Sequence, residues 1–344
     1  MINATFNLYK EGMLSLLKDT FANWQQDKAP MLAASLAYYT IFSLAPILII
    51  SIGIANVFLA NDNIQAEIIT QAESSFGDEV AGTVDTLLEE RSTDTSKPIL
   101  ATLIGFVLLI VGATGVFGQL QTALNTIWGV QPNPEKVGWL RMIWIRLRSL
   151  GMILVIGFIL VVSVVASTFV TSLEELFGNN LLATEAFWQS INVAVMFGII
   201  TVLFAMIFKV LPDVIVRWRD VWLGAAFTAL LFTVGKYLIG VYLAGSGVSS
   251  AYGAAGSFVV LLLWVYYSAQ ILLLGAEFTQ AYAKRYGKGI EPAENAMLTA
   301  RAKANLASEN SLASENNASA DASKKPASAA TAPHIPDRGN ASHQ

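Results

Sequence analysis

The sequence has no cysteine, which rules out disulfides, thiolate metal sites and a cysteine nucleophile. Histidine is almost absent. His334 and His343 both fall in a polar C-terminal stretch, so an imidazole acid–base pair in a folded site has nothing to draw on. Charge is scarce as well, at 13% of residues against roughly 25% in a soluble domain. No Gly-x-Ser-x-Gly, His-Glu-x-x-His or paired intramembrane aspartate occurs. The glycine-containing stretch 112–118 lacks the Gly-Lys-Ser/Thr ending of a phosphate loop and has no strand before it. Nothing resembles a cleavable signal peptide, because the first apolar run, from near Met31, is too long for an h-region and has no small-residue cleavage pattern. The expectation is therefore no enzyme, no cofactor and no metal site.

What the chain does have is apolar length. Hydrophobic residues make up 54% of its 344 positions, gathered into runs long enough to cross a hydrocarbon core of ~30 Å at ~1.5 Å per residue. They predict an all-α polytopic membrane protein with six transmembrane helices, at about 34–59, 99–118, 149–170, 189–208, 221–244 and 253–280. Pro46 predicts a kink in the first span, and the second continues as a more polar helix to Trp128. Ahead of them, Phe6, Tyr9, Met13, Leu16, Leu17, Phe21 and Trp24 recur at three- and four-residue steps with Lys10, Lys18, Asp19 and Lys28 between. That pattern predicts an amphipathic helix over 1–30, ended near Pro30, lying in the interface or packed on the protein's own cytoplasmic face. Residues 60–98 form an acidic loop, nine carboxylates against Arg91 and Lys97. From 288 onward the chain is rich in Ala, Ser, Asn and Lys, and a disordered tail is expected over 288–344.

The basic residues fix an orientation. The N-terminus, loops 131–148 and 209–220 and the C-terminal tail hold 18 of the 21 Lys and Arg residues, the opposite loops hold two, and Lys236 falls within a span. The positive-inside rule then places both termini in the cytoplasm. Arg141, Arg146 and Arg148 interleave with Trp139 and Trp144, and Arg217 and Arg219 flank Trp218. Beside a span such clusters anchor to lipid headgroups, so membrane lipids are expected partners and nucleic acid is not.

Several stretches together resemble the YihY/virulence factor BrkB family of bacterial inner-membrane proteins, once labelled ribonuclease BN. They are 33–46 (AASLAYYTIFSLAP), 112–128 (GATGVFGQLQTALNTIW), Leu211-Pro-Asp213 with Trp218-Arg-Asp220, and 250–257 (SAYGAAGS) leading into 264–270 (WVYYSAQ) and 275–278 (GAEF). The resemblance covers roughly residues 10–287. It implies six spans, a cytoplasmic N-terminus and an inner-membrane location, but no settled activity and no catalytic residues. The ribonuclease label finds no chemistry here, since the cytoplasmic loops offer only Glu135, Asp213 and Asp220 besides the termini, with no metal-ligand spacing.

Ionisable groups at membrane depth are functional candidates by default. Lys236 in span five and Glu277 in span six are the two in the last helix pair. Ala225, Ala229, Thr233, Lys236, Gly240 and Ala244 form one small-residue stripe, which predicts that Lys236 faces span six near Tyr266 and Gln270. Tyr252, Tyr266, Gln270 and Glu277 share a face of that span, and Gln119 and Asn125 offer amides from span two. The expected groove would take an amphiphilic, anionic substrate such as a lipid, its phosphate or carboxylate serving as counter-ion to Lys236. The leading function is thus a transporter or flippase-like protein. The alternative is a non-catalytic scaffold or assembly partner for envelope processes, working with a second copy or an envelope protein. As interhelical glue, the same polar residues would serve that alternative.

Overall fold

The computed structural model describes residues 2–43, 115–136, 185–247, 256–287 and 289–308, with isolated positions elsewhere. Its helices are α1 (Ile2–Gln26), α2 (29–43), α3 (115–127), α4 (Glu185–Val210), α5 (Trp218–Ser246), α6 (Gly256–Tyr286) and α7 (300–308). Two compact units divide the chain, Met1–Met297 and Leu298–Gln344.

Three helices are long and apolar enough to cross a membrane, over Phe187–Val210, Trp218–Leu243 and Phe258–Tyr286. Only 28%, 28% and 33% of their apolar windows are buried inside the protein, so most of that apolar surface points outward, as contact with lipid requires. The helices overrun the predicted spans 189–208, 221–244 and 253–280 at most ends, because hydropathy marks the hydrocarbon-length core while the backbone goes on satisfying itself beyond it. Of the other expectations, span one beyond residue 43, span two before 115, nearly all of span three and loop 60–98, and the basic segment with Arg141, Arg146 and Arg148 lie outside the described residues.

α5 and α6 run antiparallel and pack through two reciprocal fits. A Cβ on Gly224 would stand 2.7 Å from Cβ of Thr279 and would overlap its hydroxyl, while a Cβ on Gly275 would meet Cβ of Thr228 at 2.8 Å and overlap its hydroxyl. Each helix thus lends a threonine to the other's glycine, which is how small residues bring two helix backbones together. Neither hydroxyl is left bare: Thr228 donates to the Gly224 carbonyl and Thr279 to the Gly275 carbonyl, both at 2.7 Å. α5 stops where Gly247 turns left-handed at φ 63°, a conformation that costs glycine little. α4 joins through Phe204, edge-on to Phe232 of α5 at 5.8 Å, and Phe232 in turn meets Trp264 of α6 at 6.4 Å.

α1 packs lengthwise on α6. Its Leu16 is buried with Phe278 and Ala281, and Arg285 pairs with Asp19 at 3.5 Å on the exposed side, a contact worth little in water. The opposite face of α1 leaves Met13, Leu14, Leu17 and Phe21 exposed. α1 thus has one face on the protein and a second apolar face open, which suits either of the two placements expected for this segment. α1 ends at Gln26, and Pro30 sits in the first turn of α2, where its missing N–H costs nothing.

Two small sheets depart from the all-α expectation. β1 (Val130–Pro132) pairs with β4 (Ala296–Leu298), and β2 (Val214–Ile215) pairs antiparallel with β3 (Glu291–Pro292), in the register Val214 to Pro292 and Ile215 to Glu291. The expected disordered tail from 288 is therefore corrected, since 291–298 is held by strand pairing. In the second unit, the N–H of Ala302 donates to Thr299 Oγ1 at 3.2 Å, an N-cap for the Ala-rich α7.

Candidate functional site

Two polar features stand out, and they are built in opposite ways. The first is a knot where α3, the α4–α5 turn and β3 meet. Asn125 and Asp213 bond reciprocally: Nδ2 of Asn125 donates to Asp213 Oδ2 at 2.9 Å, and the Asp213 N–H donates to Asn125 Oδ1 at 2.8 Å. Gln121 Nε2 donates to the same carboxylate oxygen at 3.1 Å, and the N–H of Ala293 donates to the Asp213 carbonyl at 3.0 Å. Gln121 and Asn125 are four apart on α3, so one helix face presents both amides. Beside it, Gln280 of α6 donates to the Ile127 carbonyl at 2.7 Å and accepts from Asn23 of α1 at 3.4 Å. Lys209 at the end of α4 donates to the Val216 carbonyl and lies 5.8 Å from the Trp218 ring centre, closing the turn.

The second feature is a cleft of about 300 Å³ between α1, α5 and α6. α1 contributes Phe21 and Trp24, α5 contributes Leu231, Val234, Gly235 and Leu238, and α6 contributes Tyr267, Gln270, Ile271 and Leu274. Gly235 sets its depth, since a Cβ there would stand 2.6 Å from Ile271 Cδ1 and 2.9 Å from the Tyr267 hydroxyl. Phe21, Val234 and Leu238 are 54%, 51% and 61% exposed, so the rim is apolar and open. No lining residue is charged. Two polar atoms interrupt the apolar wall. Trp24 Nε1 and Gln270 Oε1 are both buried, and neither finds a hydrogen-bond partner among the described residues. An orphaned buried group costs about 1–3 kcal/mol.

The residues expected to share one groove are thus divided. Gln270 lines the cleft, and Asn125 belongs to the knot. Glu277 is fully buried within the packed part of α6. Tyr266 and Gln119 are half-buried, and Tyr252 is exposed. Lys236 is exposed and leaves Gln270 Oε1 without a partner, so the expected Lys236 contact with Gln270 is not formed. The reason is a matter of one residue. The seam facing α6 runs through Gly224, Thr228 and Gly235, and residue 236 is turned ~100° away from 235 on a helix. Arg217 and Arg219 are exposed where α5 begins, beside a half-exposed Trp218. Sequence reasoning missed Trp24, which carries no mark separating it from the rest of an amphipathic stripe, and Gly235, which is one glycine among 25. It named Asp213 only as part of a motif and as one of three carboxylates in the expected cytoplasmic loops.

Apolar helices of spanning length, sewn together by glycine and threonine, define a helical membrane protein. The chain belongs to the family described as Virulence factor BrkB, whose profile it matches over residues 20–299. It is similar to a UPF0761 membrane protein of Pseudomonas aeruginosa, 29% identical over 252 residues, which are 73% of this chain and 58% of the relative. It is also similar to UPF0761 membrane proteins of Tolumonas auensis (29% over 258 residues, 74% and 80%) and Alcanivorax borkumensis (27% over 283 residues, 81% and 62%). The matched stretch thus spans less than two thirds of the Pseudomonas and Alcanivorax relatives. No solved structure matches the chain.

Proposed function

We propose that the protein is a six-span, non-enzymatic inner-membrane transporter or flippase-like protein for an amphiphile, with both termini in the cytoplasm. The observation that carries this reading is the cleft: an apolar, open-rimmed hollow among helices of membrane-spanning length. A hollow of that kind accepts a lipid tail without exposing it to water. Lys236, the one cation in the expected span 221–244, is exposed, but it is turned ~100° from the cleft residue Gly235, so an anionic head meets it only by reaching around α5. Lys236 offers a single positive charge outside the apolar wall. Arg217, Trp218 and Arg219, exposed at the start of α5, fit a headgroup anchor at the cytoplasmic interface.

The test is reconstitution into vesicles carrying a fluorescent phosphatidylglycerol, with a membrane-impermeant quencher reporting which leaflet holds it. Protein-dependent movement is expected, and Lys236→Met, which keeps the apolar stem, is expected to fold and insert while slowing movement about tenfold. No movement in the wild type, with function recovered only beside a bound envelope protein, would replace this reading with the scaffold. Orientation is tested separately. Cysteines placed at Asp78 and Glu175 should label from the periplasm and those at Lys136 and Arg217 should not, and the reverse pattern overturns the topology.

A further inference from the structure

The cleft specifies more than an apolar tail. We infer that it binds a glycerolipid drawn from the cytoplasmic leaflet, with one acyl chain against Leu231, Val234 and Leu274 and a neutral hydroxyl at the head–tail junction bridging Trp24 and Gln270. This deepens the amphiphile reading and rests on it for the purpose of binding, though not for its chemistry.

Three observations carry it. Trp24 Nε1 can only donate, and Gln270 Oε1 can only accept. Both are buried without a partner among the described residues, in side chains that already line the hollow. A group that satisfies both must accept and donate at once, which a hydroxyl does and an ester, a phosphate dianion or an alkyl chain does not. The selection belongs to the amide orientation with Oε1 inward; turned over, Nε2 and Trp24 Nε1 would both donate and any acceptor oxygen would serve. Both polar atoms are buried, so an occupant bonds to them only when the Trp24 and Gln270 side chains turn toward it. Next, the lining holds no charge, so an ionic head cannot be read inside it. About 300 Å³ is at the small end for ligand pockets of roughly 300–1,000 Å³; it takes part of one chain and the junction, not a whole two-chain lipid. Last, the apolar rim formed by Phe21, Val234 and Leu238 is more than half exposed, so entry is sideways from hydrocarbon. Gln270 lies 14 residues into α6, ~21 Å from its start at helical rise. With that start on the periplasmic side, the cleft falls in the cytoplasmic half of a ~30 Å core.

The test uses the full chain in lipid nanodiscs and two probes: a diacylglycerol with a diazirine on one acyl chain, and the same molecule with its hydroxyl methylated. Photolabelling should fall on peptides bearing residues 231–238 and 267–274, with the free-hydroxyl probe favoured about tenfold, the scale of one to two hydrogen bonds. Gln270→Leu should bring that ratio toward one, because only the free hydroxyl can donate to Gln270 Oε1, whereas Trp24→Phe removes a donor that both probe oxygens accept and should weaken labelling by both. Should Gln270→Leu fail to purify, Gln270→Met, which keeps the side-chain length without the amide oxygen, takes its place. Equal labelling by the two probes, labelling confined to other helices, or a crosslink to a second copy of the chain seated in the cleft would each overturn the proposal. Selective labelling without lipid movement keeps the site and removes the transport reading. Lipid movement with no labelling of the cleft does the reverse.

Discussion

Gln270 and Gln280 stand ten residues apart on one helix, and the two amides lead opposite lives. Gln280 is nearly fully buried and committed at both ends, donating to the Ile127 carbonyl and accepting from Asn23, so that α1, α3 and α6 meet on it. Gln270 sits in an apolar wall with its oxygen unclaimed among the described residues. The surroundings repeat the contrast. Around Asp213, two side-chain amides and two backbone N–H groups take part in bonds of 2.8–3.1 Å, whereas beside Gln270 the one other polar orphan is Trp24. Satisfaction is not complete away from the cleft either, since the fully buried Trp128 Nε1 has no hydrogen-bond partner among the described residues, and burial alone does not tell a committed amide from an orphaned one.

The contrast can be broken at its frame or sharpened at its two poles. The largest effect is expected from the frame. Gly224→Leu or Gly275→Leu drives side-chain atoms into the opposing threonine, and overpacking of about 3 kcal/mol or more should abolish monodisperse protein in size-exclusion chromatography. Exchanging the pair as Gly224→Thr with Thr279→Gly should restore much of it. Next is the knot: Asp213→Ala strands the amides of Asn125 and Gln121 and should lower stability by about 2–3 kcal/mol, seen as a fall in the midpoint of thermal unfolding in detergent. The paired glutamines should then diverge. Gln280→Leu is expected to cost about 1–3 kcal/mol, while Gln270→Leu should be neutral or stabilising. Equal losses would mean that Gln270 has an internal role. The smallest effect concerns the C-terminal stretch. Stopping after Ser308 should leave thermal stability unchanged, but stopping after Gly289 removes β3 and β4 and should destabilise by about 1–2 kcal/mol through the lost pairing.

Much of the frame was legible in the chain. A hydrocarbon core demands unbroken apolar length, so the runs around 189–208, 221–244 and 253–280 announce α4, α5 and α6 directly. The tail was legible only in part. Its composition is poor in large apolar residues, but 291–298 is ordered by strands two and three residues long whose partners stand at 130–132 and 214–215, and so short a strand carries no period to find. The site was less legible still. Small-residue patterning showed that α5 has a close-packed face, yet Ala225 and Ala229 are as buried as Thr228. The stripe that continues through Lys236 differs from the true seam through Gly235 by a single step around the helix. What selects between them is the reciprocal fit to Thr279 and Gly275, a property of two helices together. Trp24 stacks on Phe21 of its own helix, and only the packing of α1 on α6 makes it a wall of the cleft.

The Asp213 knot also sets an order on manufacture. Helices α4 and α5 can close their own turn as soon as both exist, since Lys209 reaches only seven residues ahead to Val216. The carboxylate of Asp213, by contrast, needs α3, made about ninety residues earlier, and its carbonyl needs Ala293, made about eighty residues later. A chain that stops before Ala293 therefore leaves the Asp213 carbonyl without that bond.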